Sequence, residues 1–302
     1  MKIMKKLIAL LLVLVMAMSL IACGNTNDEA GSTGGSASGE TTEDLGLDDD
    51  ADEEADIGDI GEDADNQDTD SDLAYIKANG KLVVGITEYE PMDYKDENGE
   101  WTGFDAELAR LFAEELGVEC EFFVIGDWGK KFFELEAKNI DCVWNGMTIT
   151  DEALNNASVS DPYVINAQVV VMKEDELSKY PDAESMKDLI FAVEEGSAGQ
   201  DMADENGFES VSKQDQAGAL MEVAAGTSDA CIIDITMAKA MTGEGTDYAD
   251  LAEGISLSSE EYGVAFRTGS DLTAKLNAFL EELKTDGTLE ALAEKYSLTL
   301  AE

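Results

Sequence analysis

One turn in the middle of the chain combines several hydrogen-bond donors with a lack of positive charge. It lies within "DCVWNGMTITDEALNN" (141–156), where a short apolar run gives way to small polar residues: Asn145, Gly146, Thr148 and Thr150. A turn of this kind, before a helix N-terminus, presents backbone N–H groups that suit an anion. No lysine or arginine lies between Lys138 and Lys173. The sequence therefore predicts a ligand-binding turn whose positive charge, if one is needed, comes from elsewhere in the chain.

The segments that would position this turn alternate between strand and helix. From about Ala74, a strand pattern in "KLVVGI" is followed by helix, strand, helix and strand patterns in "GFDAELARLFAEEL", "VECEFFVI", "DWGKKFFELEAKN" and "IDCVW". A second series runs through "LIFAVEEG", "SAGQDMADENG", "ESVSK", "DQAGALMEVAAGTSDA" and "CIID", and two helical segments close the chain. This order predicts an α/β protein with two small lobes, each built on a mostly parallel sheet flanked by helices.

The ends of the predicted strands hold the candidate binding residues, because ligands of open α/β sheets bind beyond the carboxyl ends of the strands. These candidates are Glu88, Tyr89, Trp128, Asn145, Gly146, Thr148, Ser197, Ala198 and Asp234. Aromatic faces, small hydrogen-bonding groups and carboxylates together are typical of a pocket for a polar small molecule. Two members have a structural alternative, since Trp128 could be a core residue and Asp234 could cap the helix in "ITMAKAM".

The N-terminal segment has the pattern of a bacterial lipoprotein leader. Three lysines precede an apolar stretch that starts at Leu7, and "LIAC" ends the stretch at Cys23. The pattern predicts a signal peptide over residues 1–22, a lipidated Cys23 and an extracytoplasmic protein that acyl chains hold on the cell membrane. A plain secretory signal with an incidental cysteine is the alternative. Residues 24–72 carry no lysine or arginine and few large apolar side chains, so 23–72 is predicted to be a disordered acidic tether.

Composition argues against nucleic-acid and metal sites. The 302 residues have a formal net charge of −48, and no basic patch is available to displace counterions from a nucleic acid. Histidine is absent, and Cys120, Cys142 and Cys231 stand in separate apolar runs, which predicts buried free thiols with no zinc site and no required disulfide. "DTDSD" (68–72) resembles the start of a calcium loop, but Leu73 stands where the loop needs glycine. We therefore expect no metal and no cofactor.

Several motifs in the folded part resemble one protein family. The segment "GFDAELARLFAEELG" (103–117), the shorter "NGMTIT", "SDPY" and "GSAG", and the closing "LKTDGTLEALAEKY" are similar to extracellular solute-binding proteins that deliver polar amino acids to ABC importers. The resemblance implies the two-lobed periplasmic-binding-protein fold of type 2, with the ligand in the cleft between the lobes. The first lobe would comprise 73–165 and 262–302, and the second 166–261. We expect a monomer that works with a membrane permease.

The resemblance also implies roles for the candidate residues. Tyr89 and Trp128 correspond to the two aromatic residues that enclose the ligand side chain, and Asp234 to the carboxylate that accepts the ligand's α-ammonium group. Glu88 lies near a position that selects basic side chains in some members. The hydrogen-bonding turns of the two lobes correspond to the following residues: Asn145, Gly146 and Thr148 in the first, Ser197 and Ala198 in the second.

The arginine that binds the ligand carboxylate in most of the family is missing, because Ala153 stands at the matching position. Removing the partner of a buried charge costs about 3–5 kcal/mol, whereas a helix N-terminus recovers only about 0.3–2 kcal/mol. Two hypotheses follow. Either the ligand is an amino acid whose carboxylate meets backbone N–H groups, Thr148 and a lysine such as Lys130 or Lys131, or the ligand is a cationic amine without a carboxylate.

Taken together, the sequence predicts a lipoprotein that captures a small polar amino acid and delivers it to an ABC transporter permease. A cationic amine is the alternative ligand, and ligand sensing is an alternative role. A rival is an enzyme on the same fold with Glu88 or Asp234 as the general acid. We do not expect an enzyme, because the anchoring arginine, histidine and an activated serine or cysteine arrangement are all missing from the sequence.

Overall fold

The computed structural model describes residues 71–302. The predicted signal peptide, the lipidation site at Cys23 and the predicted tether up to residue 70 lie outside the described residues. The first helix begins at Asp72, so the fold already includes the last two residues of the segment predicted as tether. Between residues 71 and 302, no helix has both the length and the apolar character that a membrane crossing requires.

Short strands and helices alternate along the described chain. The helices are α1 (Asp72–Asn79), α2 (Phe104–Leu116), α3 (Lys131–Glu136), α4 (Asp151–Asn156), α5 (Ala198–Asn206), α6 (Gln216–Ala225), α7 (Ile235–Met241), α8 (Leu272–Asp286) and α9 (Thr288–Tyr296), with 3-10 turns at Trp128–Lys130, Glu174–Lys179 and Ala183–Met186. The strands are β1 (Lys81–Ile86), β2 (Tyr94–Lys95), β3 (Trp101–Thr102), β4 (Glu119–Val124), β5 (Cys142–Val143), β6 (Ser158–Val159), β7 (Val164–Asn166), β8 (Gln168–Lys173), β9 (Ile190–Glu194), β10 (Glu209–Lys213), β11 (Ala230–Asp234), β12 (Leu251–Ser256), β13 (Glu260–Tyr262) and β14 (Ala265–Phe266).

The first sheet has the strand order β4-β1-β5-β14-β6. Strand β1 pairs in parallel with β4 and β5, and β14 runs antiparallel to β5 and β6. The parallel part contains the strands of the βαβαβ pattern in the sequence, and its strands therefore end at one common edge. We call the elements packed around this sheet the first lobe.

The second sheet has the order β10-β9-β11-β8-β12, and the elements around it form the second lobe. Strand β9 pairs in parallel with β10 and β11, whereas β8 runs antiparallel to β11 and β12. Because β8 runs the opposite way, its amino end lies beside the carboxyl end of β11, where Gln168 is opposite Asp234. This reversal brings a residue from the start of a strand to the edge where the other strands end.

The chain crosses between the two sheets at β7 and again at β13. These two strands pair with each other in an antiparallel ribbon, with Asn166 opposite Glu260 and Val164 opposite Tyr262. The predicted lobe boundaries, at 165–166 and 261–262, fall within this ribbon and stay a prediction. A short ribbon of this kind can bend without breaking either sheet, so relative motion of the lobes would be concentrated here.

Helix α2 has an apolar face that covers the first sheet. Its buried side chains include Phe104, Leu108, Phe112 and Leu116, in one cluster with the apolar residues of β1. The spacing of three to four residues gives this stripe. The three cysteines between residues 71 and 302 are free thiols, but Cys120 is only partly buried, unlike Cys142 and Cys231, because β4 is an edge strand of the first sheet.

A buried arginine connects three parts of the first lobe. Arg267, just after β14, pairs with Asp72 of α1 at 2.9 Å and with Asp141 before β5 at 3.0 Å. Its Nη1 donates to the carbonyls of Leu135 and Ile140. Since both carboxylates are buried as well, the guanidinium compensates two charges that have little contact with water.

Replacing this arginine should cost much more stability than replacing an exposed cation. Arg267→Met leaves two buried carboxylates unpaired, so we expect the free energy of unfolding to fall by about 3–5 kcal/mol. The matched control is Lys187→Met, which removes an exposed ion pair with Glu184 and should cost less than about 1 kcal/mol. Urea titration followed by circular dichroism measures both. Equal losses of unfolding free energy in the two variants would show that the buried ion pairs of Arg267 stabilise the fold no more than an exposed ion pair does.

Candidate functional site

A small cavity of about 30 Å³ lies between the two lobes, at the carboxyl-end edges of the sheets. Except for Glu88, all of the predicted binding residues line it: Tyr89, Trp128, Asn145, Gly146, Thr148, Ser197, Ala198 and Asp234. The prediction for Glu88 needs correction, because its side chain points to solvent and is not part of the cavity wall. Neighbouring residues of an extended segment point in opposite directions, and Tyr89 takes the inward position.

The two aromatic residues line the cavity while also packing into the protein. Tyr89 belongs to the main apolar cluster, and its hydroxyl hydrogen-bonds the hydroxyls of Thr236 and Tyr262. Trp128 belongs to a smaller cluster that includes Ala153. Trp128 thus combines packing in a core cluster with a place in the cavity wall, and its role as a ligand contact stays a prediction.

The donors of the first-lobe turn are largely used inside the protein. The Asn145 oxygen accepts from the backbone N–H (2.9 Å) and hydroxyl (2.7 Å) of Thr87, and its Nδ2 donates back to the Thr87 carbonyl at 3.1 Å. The N–H of Gly146 donates to Asp105 at 2.6 Å. The expectation of a turn with free donors therefore needs correction for these two residues. They hold the wall of the cavity in shape through contacts within the first lobe.

Glu260 joins the same turn to the ribbon between the lobes. Its Oε2 accepts from the hydroxyl of Thr148 at 2.9 Å and from Asn166 and Gln168, each at 3.1 Å. Its Oε1 accepts from Ser258 at 2.7 Å. One carboxylate thus receives donors from the first lobe, from β7, from β8 and from the segment before β13. A shift of the ribbon would change these hydrogen bonds together.

Asp234 is held by three amide side chains at the end of β11. Oδ1 accepts from Asn166 and from Gln168 (2.7 Å), and Oδ2 accepts from Gln216. The capping alternative does not apply, because Asp234 occupies the cap position of α7 without a capping hydrogen bond. Burial, and then the negative charge of Glu260, raise the pKa of Asp234 to about 6. The carboxylate is fixed in position, and a nearby positive charge would stabilise its ionised form.

Lys131 brings a positive charge into the cavity. Its side chain is 6% exposed, and Nζ donates to the carbonyl of Gly196 in the second lobe at 3.2 Å. Nζ also lies 5.1 Å from the centre of the Trp128 ring and 3.9 Å from Glu152. Burial lowers the pKa of Lys131, while Glu152 acts in the opposite direction. Of the two lysines considered from the sequence, Lys130 is mostly exposed and pairs with Asp127.

Two glycines allow the lobes to approach closely beside this lysine. A Cβ on Gly196 would lie 2.5 Å from the Cα of Gly129, and Gly196 has a φ of +72°. Both facts favour glycine. A Cβ at this position would clash with the backbone of Gly129, and a residue with a side chain is strained in the left-handed backbone conformation. The turn after Asp127 and the turn before α5 therefore touch through their backbones.

Sequence reasoning missed several lining residues, among them Gln168, Glu194 and Gln216. Gln168 starts a strand, and only the antiparallel direction of β8 brings it to the site. Glu194 is the last residue of β9, so the rule of strand ends could have found it, whereas the predicted residues at this strand end, Ser197 and Ala198, lie further along the chain. Gln216 is the first residue of α6, after β10, and a polar residue at the start of a helix does not by itself indicate a binding site. Glu194 and Gln216 could thus have been found by applying the rule more widely.

Comparison with known proteins identifies the family. Residues 82–299 match the model of bacterial extracellular solute-binding proteins, family 3. The chain belongs to this family. The L-cystine-binding protein of Escherichia coli K12 is 30% identical over 228 residues, which cover 74% of this chain and 85% of that protein. The arginine-binding extracellular protein of Bacillus subtilis 168 is 30% identical over 223 residues, covering 72% and 86%.

Solved structures of family members show the same fold. A mutant of ArgBP from T. maritima superimposes with a TM-score of 0.70 at 33% identity, covering 74% of this chain and 98% of that one. An amino acid ABC transporter substrate-binding protein from Streptococcus pneumoniae, bound to L-arginine, gives 0.69 at 26% identity, covering 76% and 100%. This solute-binding protein therefore has the type 2 periplasmic-binding-protein fold. Its family consists of binding proteins rather than enzymes. The ancestral amino acid-binding protein AncCDT-1, a precursor of cyclohexadienyl dehydratase, is also similar.

The glycine contact between the lobes gives a test of closure. Gly196→Ala should weaken ligand binding at least about tenfold, because its Cβ would hold the lobes apart at Gly129. Gly207→Ala is the matched control: its φ is +68°, but a Cβ there meets nothing within 4 Å. Both variants should lose about 1 kcal/mol of stability from the left-handed backbone. Calorimetry that finds equal affinities for the two variants would contradict a role of this contact in binding.

Proposed function

We propose that this chain captures a small polar amino acid outside the cell and delivers it to the permease of an ABC transporter. The observation that carries the proposal is the buried ammonium of Lys131, which donates to the Gly196 carbonyl across the cleft. It supplies a positive charge that the sequence lacks at position 153. The cleft therefore has one positive group for a ligand carboxylate and, on the second lobe, Asp234 for a ligand ammonium.

The carboxylate end of the ligand is proposed to lie between Lys131 and the start of α5. A carbonyl is a weaker partner for an ammonium than a carboxylate is, so a ligand carboxylate would replace Gly196 favourably. Helix α5 begins at Ala198, and Ser197 caps it by accepting from the N–H of Gln200. The partial positive charge of a helix N-terminus favours an anion at the same place. Lys131 and the N-terminus of α5 would thus together bind the ligand carboxylate, which the arginine binds in most of the family.

The ammonium end is proposed to meet Asp234, with the rings of Tyr89 and Trp128 on either side of the ligand. The three amides that hold Asp234 occupy much of its hydrogen-bonding capacity but cancel none of its charge. An aromatic face attracts a cation by about 0.5–2 kcal/mol, so the rings would suit a positive or planar side chain. Asn145 and Gly146 would then shape the wall rather than donate to the ligand.

A cationic amine remains the second candidate, because acidic residues outnumber Lys131 around the cavity. The carboxylates that line it are Glu152, Glu194, Asp201 and Asp234. A cation without a carboxylate would relieve this excess, but it would leave the Lys131 ammonium facing another positive charge. We favour the amino acid for that reason.

Removing the charge of Lys131 separates the two candidates. Under the amino-acid proposal, Lys131→Gln should weaken binding by about 2–3 kcal/mol, which is about 30- to 150-fold, through loss of a hydrogen bond to a charged group. The affinity for the corresponding decarboxylated amine should stay the same or rise. Calorimetry with L-arginine and agmatine measures both, and Lys130→Gln is the control because that lysine is exposed and paired with Asp127.

Two results of that experiment would contradict the proposal. If Lys131→Gln binds L-arginine as tightly as the unmodified protein does, Lys131 is not the partner of the carboxylate. If the unmodified protein binds the amine and no amino acid among arginine, cystine, lysine and glutamine, the second candidate is correct. Thermal melts of all variants confirm that each remains folded.

Delivery to a permease is proposed to follow from closure of the lobes over the ligand. Contacts with both lobes exist only in the closed form, so a ligand that makes them shifts the population toward that form. Lys131 belongs to the first lobe, and Asp234 and Ser197 to the second, so an amino acid between them would make such contacts. The closed form would then be the one that the permease recognises.

The lipid anchor at Cys23 is proposed from the leader alone, and it can be tested by mass. We expect the mature chain purified from cell membranes to start at Cys23 and to carry a diacylglycerol on its thiol. Intact-mass and N-terminal peptide analysis measure this. A chain found in the culture medium with an unmodified N-terminus would instead support the plain secretory signal.

A further inference from the structure

The second lobe holds a buried carboxylate that lines the cavity and has one oxygen without a hydrogen-bond partner. Glu194, the last residue of β9, is 3% exposed and lines the cleft. Within residues 71–302, its Oε1 has no hydrogen-bond partner. Buried polar atoms are nearly always paired, and each exception calls for a physical reason. A buried carboxylate that lines a binding cleft and has an oxygen without a partner is suited to a donor on the ligand.

The surroundings of Glu194 give it a strong preference for a cation. Burial, followed by the charges of Asp234 and Asp215, raises its pKa well above the usual value, and Lys131 acts in the opposite direction. Lys131 forms its only ion pair within the described residues with Glu152, so its charge is not committed to Glu194. Two neighbouring buried acids cannot both ionise at low cost, whereas a cation between them removes that cost.

Resting on the proposed function, we propose that Glu194 is a specificity-determining residue that binds a second positively charged nitrogen of the ligand, while Asp234 takes the α-ammonium. The ligand class is then an amino acid with an additional cationic group, such as a guanidinium or a second ammonium. A neutral amino acid would bring only one cation to two buried carboxylates. Glu194 would remain without a partner in that complex.

This assignment predicts that binding releases a proton. Without a ligand cation, the raised pKa keeps Glu194 protonated at pH values where an exposed glutamate is already ionised. A bound cation favours the ionised form. The affinity for a doubly cationic amino acid should therefore fall as the pH is lowered, because Glu194 is then protonated in a larger fraction of the molecules and must lose its proton before the ligand binds. Asp234, Asp215 and Lys131 also act on this equilibrium, so the release is measured in a variant of Glu194 as well as in the unmodified protein.

The test compares Glu194→Gln with Glu195→Gln, which changes an adjacent exposed residue. Calorimetry with L-arginine, L-cystine and L-glutamine gives the affinities, and repetition in buffers of different ionisation enthalpy gives the protons released. We expect the unmodified protein and Glu195→Gln to prefer arginine or cystine over glutamine. Glu194→Gln should bind the preferred ligand about 10- to 100-fold more weakly, leave glutamine unchanged and lose the proton release. The substitution keeps the side-chain shape, and thermal melts show that it remains folded.

Different results would overturn different parts of the account. If Glu194→Gln retains both the affinity and the proton release, or if glutamine binds as tightly as the other two ligands, Glu194 does not select the ligand, although the proposed function stands. If the unmodified protein binds agmatine but none of the three amino acids, the proposed function fails and this inference fails with it.

Discussion

The hydrogen bond from Lys131 to the Gly196 carbonyl joins the two lobes at the cleft, and the other features of the site are arranged around it. The ammonium is buried beside the Trp128 ring, and it can stay charged there only with acceptors at close range. Gly129 and Gly196 let the two turns come close enough for this contact. The same contact would have to be exchanged for one with the ligand, so capture and closure use one charged group.

The balance of charge in the cleft explains why a ligand should favour the closed form. Asp234 and Glu194 are both buried on the second lobe, and burial raises the pKa of each. Carboxylates in this state are poorly stabilised by the protein alone, since amide hydrogen bonds supply no net charge. A ligand with positive nitrogens supplies that charge only when the cleft is closed around it. The free energy of binding would thus shift the population from the open to the closed form.

The sequence was sufficient for the order of long elements and for much of the cavity wall, because both follow from periodic patterns and from strand ends. Helix α2 and strands β1, β9 and β11 have clear apolar patterns. Two-residue strands such as β3 and β6 carry no such pattern and are defined by their partners in the sheet. Gln168 was missed because strand direction is a tertiary property. The internal use of the Gly146 donor depends on Asp105, which is distant in sequence and approaches only through the packing of α2.

A crystal structure with a bound amino acid tests the central claim most directly. The account predicts that the ligand carboxylate lies within hydrogen-bond distance of Lys131 Nζ and close to the start of α5, with the α-ammonium against Asp234. The bond from Lys131 to the Gly196 carbonyl would then be lengthened or lost. A ligand whose carboxylate is bound elsewhere, with Lys131 still on Gly196, would contradict the account.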